Sequence, residues 1–342
     1  MPTIRDVAKR AGVASMTVSR VINNSGYVSE ATRAKVEAAV EELGYVPNML
    51  GPSLRFNQTN TLALVVTDIT NPFWTTIARG AEDAAHASDY SVILCNSDES
   101  PEKQEQYLTM LLKRRIDGIL LAPACSSAEP VELIQKQRVA VVVLDRTVPV
   151  ADVDIIRGDS IGGASQLTKH LLHLGHRQIA MLSGPQEVST SADRVRGYRQ
   201  ALHEAGLEPD MNHIIWGNYT PTSGYSMTEK ILSAVPRPTA IFAANNFIAI
   251  GALRALRDAG LKVPEDMSLV SFDDIPEVIS LDPFLTTVTQ PTYEMGYKAT
   301  EMLLARLTSG GPHEYQSILL PTEIIVRRSS SHPPRHSSEG ST

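Results

Sequence analysis

The spacing of apolar positions changes character once along the chain, near residue 61. Before that point it has the period of a helix. Ile4, Val7, Ala8 and Ala11 fall at i, i+3, i+4 and i+7, one apolar face of a short helix. Thr3 stands before it with Asp6 three residues on, close to a capping box, and Gly12 suits a left-handed residue closing it. Val18, Val21 and Ile22 form the inner face of a second helix, with Ser15, Met16, Ser19, Arg20 and Asn23 outside. Ser29 is placed to cap a third helix, in which Val36, Ala39, Val40 and Leu43 face inward before Gly44 ends it.

From Thr61 onward continuous apolar runs replace the helical period. Leu62-Ala63-Leu64-Val65-Val66 predicts a strand buried on both faces. A helical stretch through Ile77, Ala81, Ala84 and Ala85 follows, then strands at 91–94, 118–121 and 139–144 separated by helices at 105–114 and 131–137. The alternation starts again, with helices at 162–174, 194–205, 224–232 and 247–259 and strands at 179–182, 214–216, 240–242 and 268–272. Alternating β and α elements predict parallel sheets with crossover helices. Two halves of similar length predict two lobes with a cleft between them, and open α/β sheets take ligands at the carboxyl ends of their strands.

Composition narrows the class. The 342 residues are 42% hydrophobic, as in a soluble globular chain of two or three domains. No apolar run reaches membrane-spanning length and no signal-peptide core opens the sequence, so a cytoplasmic protein without a membrane partner is expected. Cys95 and Cys125 make neither a CxxC site nor a disulfide framework and are expected in the core of a protein from a reducing compartment. The net charge of −7 is uneven. Residues 1–36 carry Arg5, Lys9, Arg10, Arg20, Arg33 and Lys35 against Asp6 and Glu30, a net +4, which leaves −11 elsewhere. A basic head can approach phosphates while an acidic body stays soluble. Two helices around a glycine turn, the second showing small polar residues and one arginine, describe a DNA-reading helix-turn-helix.

Ile4-Arg5-Asp6-Val7-Ala8, Ala11-Gly12-Val13 and Thr17-Val18-Ser19-Arg20-Val21 together resemble the headpiece of the LacI/GalR family of bacterial transcription regulators. The likeness runs from residue 3 to about 328. It implies a small all-α helix-turn-helix headpiece (1–46), a hinge (47–60) and an α/β two-lobed core like a periplasmic binding protein (61–328). The lobes would be about 61–159 plus 290–318 and about 160–289 plus 319–328, followed by a disordered tail rich in Ser, Pro and His (329–342). Arg5 and Lys9 would then sit on phosphates of double-stranded operator DNA, with Ser15, Met16 and Arg20 at base edges and Thr3, Thr17, Ser19 and Asn23 beside them. Arg20 is the expected guanine reader. In the hinge Leu54 matches a leucine that wedges into the minor groove, with Arg55 next to it. Gly51-Pro52 stands where the family has Ala-Arg, so a shorter or less stable hinge helix is expected.

The resemblance also marks residues at strand ends. Phe73 and Trp74, in a run close to the family's Asp-x-x-Asn-Pro-Phe-Phe, either stack on a ligand or pack inward. Asp145-Arg146 would contact ligand hydroxyls or form a salt bridge. Arg194 matches an arginine that holds ligand oxygens, Tyr219 an aromatic wall, and Asn245 and Asp273 hydroxyl-binding positions; Asn246 departs from an aspartate. Carboxylates, amides and aromatics suit a polyol, with a sugar acid or phosphorylated sugar left open by the two arginines.

No nucleophile elbow, P-loop or GxGxxG motif is present, so no cofactor and no enzymatic role are expected. His170, His173 and His176 are read as side chains at a helix end rather than metal ligands. An Asp145–Asp273 glycosidase pair ranks below a binding role. The expected protein is a repressor, a homodimer or dimer of dimers, controlled by a small-molecule effector, a sugar or sugar derivative. Its alternatives are a solute-binding protein without DNA function and a purine- or nucleoside-responsive regulator of the same family.

Overall fold

The computed structural model describes residues 2–46, 58–149, 152–275, 282–308 and 314–334. Leu54, Arg55 and Gly51-Pro52, and with them the hinge expectation, lie outside the described residues. The chain divides into two units, Met1–Thr59 and Asn60–Thr342.

The first unit holds helices α1 (Ile4–Ala11), α2 (Ser15–Ile22) and α3 (Glu30–Leu43). At α1 the Thr3 hydroxyl accepts from the Asp6 N–H, and the Asp6 carboxylate accepts from the Thr3 N–H at 2.8 Å, a reciprocal cap that holds the Asp6 pKa down. Gly12 and Gly44 take the left-handed conformation that ends α1 and α3. Ala14 gives α2 no side-chain cap. Ser29 corrects the expectation made for it, because its hydroxyl pairs with the Thr32 hydroxyl at 2.9 Å and not with a backbone N–H. Val7, Ala8, Val18, Val21, Val36 and Ala39 make a core small enough that the unit has little stability to spare.

In the second unit the first sheet contains β1 (Thr61–Val66), β2 (Ser91–Asn96), β3 (Gly118–Leu121), β4 (Ala140–Leu144), β5 (Asp154–Gly158) and β11 (Ser317–Leu320). Their order is β11-β5-β4-β3-β1-β2, with every pairing parallel. The second contains β6 (Ile179–Ser183), β7 (Ile214–Trp216), β8 (Ala240–Ala243), β9 (Ser268–Phe272), β10 (Thr286–Thr289) and β12 (Glu323–Ile325), ordered β12-β10-β9-β8-β6-β7 with only β12 antiparallel. Helices α4 (Pro72–His86), α5 (Pro101–Lys113), α6 (Glu129–Lys136) and α11 (Thr292–Thr308) belong with the first sheet. Helices α7 (Ser160–His173), α8 (Ser189–Glu204), α9 (Pro221–Leu232) and α10 (Asn246–Asp258) belong with the second.

Several helices start earlier than the apolar period indicates, because caps and not hydrophobic residues set their first turns. Ser100 before Pro101 and Thr220 before Pro221 each accept a backbone N–H. β11 pairs with β5 through Leu320, so residues 319 and 320 lie in the first lobe and not in the second.

The tail expectation is overturned for residues 329–334. The Leu269 N–H donates to the Ser329 carbonyl at 2.8 Å, the Ser329 N–H donates to the Phe284 carbonyl at 3.1 Å, and the Ser331 N–H donates to the Ser268 hydroxyl at 3.0 Å. Serines here satisfy backbone groups at the start of β9 that would otherwise be buried without partners. His176 is likewise no helix-end side chain. It is buried, with Nδ1 2.8 Å from the Thr239 hydroxyl and Nε2 2.8 Å from the Ser331 carbonyl, and burial pushes its pKa down. His170 pairs with the Ser330 hydroxyl at 2.9 Å. Cys95 is buried, whereas Cys125 is only half-buried.

Candidate functional site

The carboxyl ends of the strands of both sheets open on one cavity of about 550 Å³, at the place the parallel topology predicts for a ligand. All eight residues singled out at strand ends line it: Phe73, Trp74, Asp145, Arg146, Arg194, Tyr219, Asn245 and Asp273. The lining runs from Thr67 to Asp273 and is drawn from the segments that follow strands of both sheets.

Phe73 and Trp74 open α4 and pack inward, one of the two readings left open for them. They line the cavity and are buried in the first lobe's core, edge to face with ring centres 4.9 Å apart. Asn71 caps that helix, its Oδ1 accepting the Phe73 N–H at 3.0 Å. Tyr219 is held by its hydroxyl, 2.7 Å from that of Ser191, and its ring lies flat on Gly184, where a Cβ would stand 2.3 Å from the ring carbon Cζ. Asn245 caps α10 through Oδ1, which accepts the Ile248 N–H at 2.8 Å, and this leaves its amide NH₂ as the group to offer a ligand.

Arg146 does form a salt bridge, but with Glu99. Two parallel bonds of 2.6 and 2.7 Å join them, and Arg146 also donates to the Pro123 and Ala124 carbonyls. Burial works against its charge, yet Glu99 and Asp145 carry its pKa above the ordinary value. Arg194 lies over the Phe272 ring at 3.9 Å, donates to the Ala244 carbonyl at 2.6 Å and stands 3.6 Å from the Asp273 carboxylate. Asp273 also accepts from Gln290 Nε2 at 2.6 Å; burial raises its pKa against the pull of Arg194 and Gln290. Asp145 is different. Its Oδ1 has no hydrogen-bond partner, and burial pushes its pKa up to about 6 despite Arg194 and Arg146 nearby. Nε of Arg194 and Nε of Arg146 are also buried without partners. Thr67 Oγ1 is buried without a partner as well, so four polar atoms of residues in the cavity wall lack a hydrogen bond.

Residue types and strand patterns did not point to Glu99, Gln290 or Thr190, which complete or support this wall. Glu99 and Gln290 carry a signal, since each follows a strand, β2 and β10, as Asp145 follows β4. The Asn246 substitution acquires a partner: Asn71 and Asn246 exchange two amide hydrogen bonds of 3.0 Å across the cleft, one from each lobe.

In the headpiece Arg5, Ser15, Met16, Arg20 and Asn23 are exposed, while Thr17 and Ser19 are half-buried. Thr3 is exposed but occupied by its cap, and Asn23 donates to the Ser19 hydroxyl at 3.2 Å. Over residues 2–46 six basic side chains face five acidic ones, because Glu37, Glu41 and Glu42 lie on α3. The positive character therefore belongs to the first two helices and the start of the third.

A helix-turn-helix with a polar outer face, joined to a two-lobed core with a polar cleft, defines a bacterial regulator of the ligand-responsive kind. The family described as "Bacterial regulatory proteins, lacI family" matches residues 3–48, and "Periplasmic binding proteins and sugar binding domain of LacI family" matches residues 59–325. The chain belongs to the LacI family. It is 37% identical to the ribose operon repressor of Escherichia coli K12 over 96% of this chain and 100% of that one. It is 36% identical to the transcriptional repressor PurR of Edwardsiella ictaluri over 96% and 97%. Among solved structures, a lac repressor dimer bound to operator and the anti-inducer ONPF matches with a TM-score of 0.83 at 27% identity, over 96% of this chain and 99% of that one.

Proposed function

We propose that this regulator is a repressor that binds operator DNA as a homodimer or dimer of dimers in the cytoplasm, and that a neutral sugar bound in the cleft changes its operator affinity. The Asp145 carboxylate and the Arg194 guanidinium, both in the wall of the cavity, carry the effector reading. A hydroxyl both donates and accepts, so a pair of neighbouring hydroxyls fills the acceptor and the donor together. Phe73, Trp74 and Tyr219 supply apolar surface for the ring's carbon face. Five carboxylates, Asp68, Asp98, Glu99, Asp145 and Asp273, line the cavity against two guanidiniums. That balance favours a neutral polyol over a sugar phosphate or sugar acid. The relatives include both a ribose operon and a purine repressor, and a purine is the second reading, supported by the same three aromatic rings. Binding requires no bond making, and the site is read as a receptor and not as an enzyme.

Thermal unfolding in the presence of ribose, hexoses, ribose 5-phosphate, hypoxanthine and guanine separates these readings, because a ligand of the folded state raises Tm by mass action. A neutral sugar is expected to raise it. A shift with hypoxanthine or guanine alone, or with the sugar phosphate alone, would overturn the sugar reading. Fluorescence anisotropy on selected operator duplexes, with and without the active compound, then tests coupling, which must be reciprocal.

A further inference from the structure

Met16 is not part of the headpiece core. It is 67% exposed on α2, whereas Val18 and Val21 of the same helix are buried. At about 100° per residue Met16 lies some 40° from Arg20 and about 160° from Val18, so it stands at the centre of the outward face. Ser19 and Asn23 on that face are joined to one another. Arg20 and Ser15 have no side-chain hydrogen bond or ion pair among the described residues. An exposed thioether on a face otherwise made of polar groups is a poor partner for water or phosphate. The major groove presents one apolar group, the thymine 5-methyl.

We propose that Met16 reads a thymine methyl group in the operator, within one or two base pairs of the guanine read by Arg20. This rests on the DNA-binding function proposed above. The spacing follows from geometry. Four residues of helix advance about 6 Å, and base pairs step about 3.4 Å along one strand. A flexible thioether adapts to a methyl group without needing the alignment of a hydrogen bond.

The experiment uses the full chain. Duplexes are selected from a random pool, and each thymine of the recovered site is replaced singly by deoxyuridine, which deletes only the methyl. The wild type is expected to lose affinity about fourfold at one thymine per half-site, the worth of one buried methyl. Met16→Ala is expected to bind the thymine and deoxyuridine duplexes equally, while its preference for the guanine persists. Met16→Leu is expected to keep the thymine preference. The proposal is overturned if no deoxyuridine substitution weakens the wild type, or if Met16→Ala still distinguishes the two duplexes. Failure to recover any enriched duplex overturns the DNA-binding function itself, and this proposal with it, and is thereby distinct from the other two results.

Discussion

Asp145 and Asp273 occupy the same place in two sheets of the same order. One follows β4 and the other β9, strands in matching positions of β2-β1-β3-β4-β5-β11 and β7-β6-β8-β9-β10-β12. Both take left-handed φ values, 63° and 61°, which an aspartate adopts only at some cost. Both donate their N–H to the neighbouring strand, Asp145 to the Ile156 carbonyl at 2.9 Å and Asp273 to the Val288 carbonyl at 2.8 Å. The backbone device is repeated and the side-chain outcome is not. Asp273 has Gln290 and Arg194, whereas Asp145 keeps an oxygen without a hydrogen bond. Two lobes with one topology thus divide the work. The second lobe pairs its carboxylate with Gln290 while Arg194 Nε and Gln290 Oε1 stay unpaired, and the first keeps a carboxylate oxygen without a hydrogen bond.

The largest expected effect comes from removing the cation near both carboxylates. Arg194→Met leaves Asp145 and Asp273 buried with their main compensating charge gone. A loss of about 3–5 kcal/mol in the stability of the core is expected, together with loss of detectable sugar binding. Urea unfolding and calorimetric titration read the two separately. An unchanged urea midpoint would mean that the carboxylates do not depend on Arg194, and the comparison would lose its shared element.

Asp145→Asn is expected to act in opposite directions on binding and on stability. Sugar affinity should fall about a hundredfold, because an ionised acceptor becomes a neutral amide. The free core should become more stable at pH 7. The folded-state pKa of about 6 lies above the ordinary 3.8, so the folded form holds its proton more tightly. Its contribution is therefore complete below pH 4 and lost as pH rises through 6, at most about 3 kcal/mol. Wild type and variant should have similar Tm at pH 4 and differ by several degrees at pH 7. A variant less stable than the wild type at pH 7 would show that Asp145 is already satisfied in the free protein.

The contrast between the two aspartates was not legible in the sequence, although their positions were. β1, β3 and β4 stand out as apolar runs because both their faces are buried, and residues at the ends of such strands are candidates on topology alone. β5, with Asp154 and Arg157 in it, and the three-residue β12, with a glutamate, carry too little apolar signal to be recognised. The partners were hidden for another reason. Glu99 lies 47 residues before Arg146, Gln290 17 residues after Asp273, and Asn246 175 residues after Asn71. Only the packed lobes bring them together. Ser329 and Ser331 belong to the same lesson. A Ser-rich segment reads as disordered by composition, yet here its backbone finishes the hydrogen bonding of a buried strand.

Asp273→Asn should cost less than the same change at Asp145. Gln290 and the Ala244 carbonyl still orient the side chain and Arg194, and an asparagine oxygen can accept the Gln290 amide in place of the carboxylate. Sugar affinity is expected to fall about tenfold, with little change in the urea midpoint. Calorimetry on the two variants side by side is the direct check. Equal losses would mean that the lobes contribute equally and that the free Asp145 oxygen has no special part.

The smallest expected effect lies where the lobes touch. Asn246→Asp restores the aspartate expected in relatives, but it deletes the amide that donates to Asn71 Oδ1 and to the Asp274 carbonyl at 3.3 Å. The new carboxylate would be buried beside the Asp274 carbonyl, so burial should raise its pKa and the ionised form should destabilise the core. At pH 4.5 the protonated acid can donate one of the lost bonds, and the variant should match the wild type. At pH 7.5 it should be about 1 kcal/mol less stable, a difference that urea midpoints resolve. Equal midpoints at both pH values would show that the amide pair does not hold the lobes together. Asymmetry between the lobes would then rest on Asp145 and Asp273 alone.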